Sequence, residues 1–307
     1  MTLLTPNATI PAVEADGLWK RYGDRDVVRD VSLSLHSGEV LGMVGPNGSG
    51  KTTTIRMLLD ITRPDRGDVL VFGRPMDEDA QERIGYLPEE RGLYRDQRIL
   101  PTLVYLAQLK GMSRPQAEAR AGEVLDRLGM AGHQGKKVKE LSRGMGQLIQ
   151  FAATIMHRPD FIILDEPFSG LDPVNVRLMK DVVRELGTAG AGIMFSTHQM
   201  TDVEELCDRV VMVHQGGIVL DGRIADIKRR FAGDALMVAC DPAPDGLLGA
   251  TDINRDGDAY HMRLLPGVTP EALLRELLDS GRRIDSFQVA SPSLEEVFLR
   301  MVAGESA

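Results

Sequence analysis

The segment GPNGSGKTT, Gly45–Thr53, constrains this chain more than any other. It meets G-x-x-x-x-G-K-[ST] at every fixed position over Gly45–Thr52, between the buried run VLGMV and a helical pattern, TTTIRMLLD, opening at Thr52. A glycine-rich turn that leaves a strand and enters a helix points backbone N–H groups at an anion, and the helix dipole adds to the pull. The loop Gly45, Pro46, Asn47, Gly48, Ser49, Gly50, Lys51, Thr52 and Thr53 is therefore expected to hold nucleotide phosphates. Its glycines let the backbone wrap the β-phosphate. Lys51 supplies charge to the β/γ oxygens and Thr52 a hydroxyl to Mg²⁺. A chance glycine-rich turn would lack the strand before it and the helix after it.

Two further strand ends carry chemistry. FIILDEP, Phe161–Pro167, follows four apolar residues with two acids. A strand merely reaching solvent would look similar, but the phosphate loop gives the acids a task. Asp165 suits the Mg²⁺ shell, and Glu166 suits the group that orients and polarises an attacking water. GIMFSTH, Gly192–His198, ends a buried strand in His198. That residue is either a core histidine or a γ-phosphate contact, and its position favours the contact. His36, His133, His157, His214 and His261 stand in polar or irregular settings and are expected at the surface. The segment ELSRGMG, Glu140–Gly146, is a second small polar turn entering an amphipathic helix, with a stripe at Leu148, Phe151, Ala152, Ile155 and Met156. One nucleotide-binding chain thus has two helix starts suited to a phosphate.

The periodicity places these motifs in an α/β frame. VSLSLHSGEVLGMVG, Val31–Gly45, reads as two strands, and RPDRGDVLVFG, Arg63–Gly73, as a turn and a strand. Arg98 to Leu128 is helical in pattern. Asp172 and Pro173 cap and open another helix, and Arg209–Gly222 reads as a hairpin turning at Gly216–Gly217. The register changes after RRFAGD, Arg229–Asp234. Beyond it come strands near Leu236–Cys240 and Tyr260–Leu264 and a helix from Thr269 and Pro270 to Gly281. A strand near Ile284–Val289 follows, then a helix opened by a Ser293–Glu296 capping box. The expected division is a flexible tail over 1–13, an α/β domain over 14–231 with a helical subdomain over about 90–157, and a small α+β domain over 234–303.

Composition then excludes. A net charge of -9 disfavours a nucleic-acid partner. Two isolated cysteines, Cys207 and Cys240, form neither a disulfide framework nor a metal knuckle and fit a reducing cytoplasm. No apolar run is long enough to cross a bilayer, and the N-terminus lacks the layout of a secretory signal, so membrane work would pass through a partner. DINRDGDAYHMR, Asp252–Arg263, begins like a calcium loop. It has Arg263 where a bidentate glutamate is required, so a polar turn between strands is expected. Asn7-Ala8-Thr9 matches a glycosylation sequon without meaning in a cytoplasmic tail.

The phosphate loop, LSRGM (Leu141–Met145), LDEP, SGLD (Ser169–Asp172) and STH occur in that order. The ordered set resembles the ATP-binding cassette of ABC transporters over roughly Ala15 to Arg230. The resemblance implies a P-loop NTPase cassette, with a mixed sheet core and a helical subdomain, that binds ATP and Mg²⁺. It implies that Ser142 and Gly144 of LSRGM contact the ATP γ-phosphate, that Asp172 of SGLD belongs with them, and that Tyr22 stacks on adenine. An aromatic plug beside Trp19 is the other reading of Tyr22. Arg143 and Met145 depart from the usual glycine and glutamine, and Glu89, in GYLPEERGLY, stands where a glutamine is usual. Glutamate keeps an oxygen for Mg²⁺ or water but adds a negative charge. YLPEERGLY, EPFSGLDPVN and SPSLEEVF are similar to a branch of ABC exporters linked to sodium or drug efflux. The resemblance also implies a head-to-tail dimer, with a second copy or a paralogous cassette, in which one chain's signature helix covers ATP held by the other. It implies an integral membrane permease subunit and a place at the cytoplasmic face of the cell membrane. A soluble cassette in repair or translation, and a small-molecule kinase, are the rival readings. The single cassette and acidic balance weigh against the first; the signature, SGLD and STH weigh against the second.

Overall fold

The computed structural model describes residues 10–90, 92–231, 235–289 and 292–303. The sequon at Asn7 and the close of RRFAGD lie outside them. The chain forms two compact units that divide between Arg223 and Ile224.

In the first unit, β1 (Val13–Tyr22) and β2 (Arg25–Leu35) pair antiparallel, and β3 (Val40–Val44) is buried throughout. α1 (Lys51–Leu58) leads to β4 (Arg66–Val71), which pairs with the other edge of β1. α2 (Glu78–Glu82) and β5 (Ile84–Leu87) precede three helices, α3 (Ile99–Gln108), α4 (Arg114–Arg127) and α5 (Arg143–Ile155). Then β6 (Phe161–Asp165), α6 (Pro173–Thr188), β7 (Gly192–Thr197) and α7 (Met200–Leu206) alternate, and β8 (Arg209–His214) and β9 (Gly217–Arg223) close the unit as a hairpin. Six strands form a mixed sheet in the order β5-β6-β7-β3-β8-β9, parallel except for β9. The order β2-β1-β4 makes a separate antiparallel sheet. Parallel strands must be covered on both faces, which explains the unbroken apolar runs of β3, β6 and β7. The alternation places the C-terminal ends of β3, β5, β6 and β7 along one edge, where ligands of open α/β sheets bind.

Several expectations shift. Ala12 and Val13, assigned to the tail, are buried, and the Ala12 N–H donates to Leu35 O at 2.8 Å. β1 is faint in VEADGLWKRY because bulges break its register between Ala15 and Leu18. The helical pattern over Arg98–Leu128 is two helices. Gly111, at φ +81°, stops α3 as its left-handed residue, and Gln116 accepts from the Ser113 N–H at 3.1 Å to open α4. α3, α4 and α5 pack on one another. His157 is half-buried rather than lying free on the surface. It packs beneath β5 with Nε2 3.0 Å from Ile84 O, and burial pulls its pKa down to about 4.

The second unit opens with α8 (Ile224–Phe231), which packs on α10 (Leu294–Ala303), and the Arg300 guanidinium donates to Phe231 O. Those contacts place α8 in the second unit, so the division falls ahead of the boundary expected at RRFAGD, Arg229–Asp234. Its sheet is antiparallel in the order β11 (Ala250–Asp256), β12 (Ala259–Leu264), β10 (Ala235–Asp241), β13 (Arg283–Val289). α9 (Pro270–Asp279), capped by the Thr269 side chain at Ala272 N, packs against β13. Leu236, Val238, Met262, Leu264, Leu273 and Leu277 form its core. The calcium-like stretch is not one polar turn: Asp252 and Asn254 lie on β11, and the turn is confined to Gly257-Asp258. The Ser293–Glu296 box forms in both directions, at 2.9 and 3.2 Å.

Candidate nucleotide site

The loop between β3 and α1 is shaped by close backbone approach. A Cβ at Gly45 would sit 2.2 Å from Val213 O, so no other residue fits without moving β8. Gly50, at φ +112°, would bring a Cβ to 2.7 Å from Val27 O. The helix that follows has no side-chain cap and no acid in its first turn, so its leading N–H groups stay open. Beside them is a cleft of about 250 Å³ lined by Val27, Asn47, Gly48, Gly50, Lys51, Thr52, Thr53, Glu89, Asp165 and Glu166.

Lys51 is buried, and its Nζ donates to Gly45 O at 2.7 Å and Pro46 O at 3.2 Å. Burial lowers its pKa, while Glu166, Asp165 and Glu89 oppose the shift. Asp165 ends β6 and is 1% exposed. One of its oxygens accepts from Ser196 Oγ on the neighbouring strand; Oδ2 is buried without a partner. A buried carboxylate oxygen left open is costly unless a cation meets it, and Thr52 and Glu89 line the same cleft. The set fits Mg²⁺ on oxygen donors. Ser49 Oγ is likewise buried without a partner beneath the loop.

Glu166 holds a left-handed backbone, φ +49°, pinned by its N–H donating to Ser196 O at 3.1 Å. Such strain in a non-glycine residue persists only where neighbours enforce it, and it gathers at functional sites. Its Oε1 lies 3.0 Å from His198 Nδ1, so the ends of β6 and β7 bring the two residues together. Tyr22 stands 51% exposed at the end of β1, with Lys20 Nζ 5.7 Å from its ring centre; it is not the buried plug. The neighbouring Trp19 carries Arg66 on its ring instead.

The signature residues are elsewhere. Ser142 caps α5, its Oγ accepting from Met145 N at 3.3 Å, and neither Ser142 nor Gly144 lines the cleft. A Cβ at Gly144 would meet Leu171, and the Arg143 side chain lies over Gly170, so LSRGM and SGLD form one surface. Asp172 caps α6 with its own carboxylate, which accepts from Val174 N and Asn175 N at 3.0 Å. α5 is tied to the Glu89 segment by Gln150, whose Nε2 donates to Pro88 O and Glu90 O at 3.3 and 3.1 Å. Sequence reading missed Ser196, whose place in STH beside His198 was the available signal, and Val27, an apolar strand residue that gives none. Among the described residues, no helix is long and apolar enough to cross a membrane.

Comparison with known proteins fits this geometry. The family described as "ABC transporter" matches residues 28–169, and "ATP-binding protein DrrA1-3-like, C-terminal domain" matches residues 222–302. The chain is 37% identical to the uncharacterized ABC transporter ATP-binding protein YhaQ of Bacillus subtilis, over 94% of this chain and 97% of YhaQ. It is 31% identical to the daunorubicin/doxorubicin resistance ATP-binding protein DrrA of Streptomyces peucetius, over 94% and 92% respectively. A solved ATP-binding subunit of an ABC transporter superposes with a TM-score of 0.68 at 29% identity, covering 72% of this chain and 93% of that one.

Proposed function

The chain belongs to the family of ABC transporter ATP-binding proteins, and from that premise we propose that it powers export through a separate membrane permease at the cytoplasmic face of the membrane. It is an ATPase of that family. The observation that carries the site assignment is the meeting of Lys51, the unpartnered Asp165 oxygen and Glu166 in one cleft. The open N–H groups of the loop and of α1 bind the phosphates. Lys51 exchanges the carbonyls of Gly45 and Pro46 for β/γ oxygens, so the lysine is already held against the loop that lines the cleft. Asp165, Thr52 and Glu89 would hold Mg²⁺, which would supply positive charge against the phosphates. Glu166 accepts a proton from the attacking water, and His198 orients that carboxylate through its Nδ1 and reaches the γ-phosphate. Tyr22 offers its exposed ring to the adenine.

The absence of Ser142 and Gly144 from the cleft lining supports the head-to-tail dimer, in which they reach the ATP of a second copy or a paralogous cassette. The names of DrrA and of the linearmycin resistance protein LnrL support efflux as the direction. Phosphate release from Mg²⁺-ATP without any acceptor tests the ATPase reading against a kinase. Glu166→Gln is expected to slow that release by roughly a hundred- to ten-thousandfold while ATP binding persists and ATP-bound dimers accumulate on size-exclusion chromatography. A parental rate would remove Glu166 from the mechanism.

A further inference from the structure

Lys180 stands on α6, outside every motif used above, yet is only 5% exposed. Its Nζ lies 2.8 Å from Asp202 Oδ1 and 2.5 Å from Glu205 Oε2, both on α7, and 5.5 Å from the centre of the Phe168 ring. Two of these contacts, those with Asp202 and Phe168, lead back to the hydrolytic pair. Asp202 lies in the first turn of α7, the helix that starts directly beyond His198. Phe168 follows Glu166 at two positions, and its ring meets Phe195 of β7 edge-on at 5.7 Å. Burial draws the ammonium's pKa down, but the hydrogen bonds and charges of Asp202 and Glu205 outweigh it and hold it above the ordinary value. Glu205 is also paired with Arg184 at 3.0 Å, whereas the buried Asp202 would be stranded without the lysine. For packing alone, apolar residues of similar volume would serve as well as such an ion pair. A directional cation between the Phe168 turn and α7 adds something else: it fixes where they stand.

We propose that Lys180 is a positioning residue for hydrolysis, joining the Phe168 end of the Glu166 segment to the first turn of α7 so that Glu166 Oε1 and His198 Nδ1 keep their 3.0 Å contact. The proposal rests on the role given to Glu166 above. In the purified full-length chain, Lys180→Met is expected to lower kcat about ten- to a hundredfold, the scale of a misplaced catalytic group. KM for ATP and the affinity for Mg²⁺-ATP should stay within about twofold, because the phosphate loop is untouched. Lys180→Arg, which keeps the charge, should recover most of the rate. On a Glu166→Gln background, Lys180→Met should cost nothing further, because it acts through that carboxylate. A purely structural lysine would instead cut the residual Glu166→Gln rate by the same factor as the parental one, and that additive outcome overturns the proposal. So does a parental kcat for Lys180→Met beside a slow Glu166→Gln. A parental rate for Glu166→Gln itself overturns the underlying reading and this proposal with it. If Lys180→Met does not fold, Lys180→Met/Asp202→Leu removes the stranded carboxylate and is read in the same way.

Discussion

α1 and α6 each follow a buried parallel strand of the same sheet, and each begins beside a candidate site, yet only one is open. At α1 the cap is Gly50, which has no side chain to offer, and no acid stands in the first turn. At α6 the Asp172 carboxylate takes the N–H groups of Val174 and Asn175 and, at 2.6 Å, the Asn175 side-chain amide. The same dipole and the same orphan donors exist at both ends. The second helix already holds an anion, its own. An anion site needs an unfilled helix start, and glycine at the cap is how this sequence leaves one unfilled. α5 falls between them, capped by one neutral hydroxyl at 3.3 Å, which a stronger acceptor can displace.

The largest effect should come from the open end. Lys51→Ala removes a charged donor whose bonds to phosphate are of the strong class, so affinity for Mg²⁺-ATP should fall about ten- to a hundredfold by titration with a fluorescent nucleotide. Unchanged affinity would mean that the open amides alone hold the phosphates.

Buried ionisable groups sharpen the contrast. Burial is the largest cause of both downward shifts, but at Lys51 three carboxylates oppose it, whereas at His157 the Lys110 charge adds to it. The folded state keeps the His157 ring neutral down to about pH 4, while the unfolded chain takes up a proton near its ordinary value of 6.5. More protons bound by the unfolded state means stability is lost as pH falls through that window and is unaffected above it. Between pH 7.5 and pH 5 the loss should be about 2 kcal/mol, read as a lower urea midpoint. His157→Phe should remove this part of the slope. An unaltered slope would assign it to other groups.

The smallest effect belongs to the filled end. Asp172→Ala empties the α6 cap and should lower Tm by about 2–4 °C. The contribution fades on the acid side, because hydrogen bonds from the Asn175 backbone, with those of its side chain and of Val174, hold the carboxyl below its ordinary range. A Tm unchanged at neutral pH would show that water replaces the carboxylate without loss.

Much of this site was legible because its chemistry is local. The loop Gly45–Thr52 and the Asp165-Glu166 pair each lie within a few residues, next to apolar runs that announce their strands. The Asp172 cap and the Ser293–Glu296 box were legible for the same reason. What the sequence hid depends on distance along the chain. Ser196 reaches Asp165 across neighbouring strands, and Lys180 reaches α7 from a helix whose periodicity makes it one more polar residue. His157 looked like a surface residue because its burial comes from β5, far upstream. β1 was obscured by its bulges, and the break between α3 and α4 was legible in Gly111 and Ser113 but masked by the apolar spacing on either side.

In the proposed head-to-tail dimer, the open start of α1 and the Ser142 start of α5 serve one ATP from different chains. Two lesions test it: Lys51→Ala on one chain and Ser142→Arg, which blocks the signature with bulk, on the other. Each homodimer should be nearly inactive, since both of its sites carry a lesion. In mixed dimers made by co-expression, shared sites put both lesions in one site and leave the other sound, so ATPase activity and ATP-dependent protection of the intact site from labelling should return. If each chain used its own signature, every site would stay defective, and mixed dimers with neither activity nor protection would contradict the account.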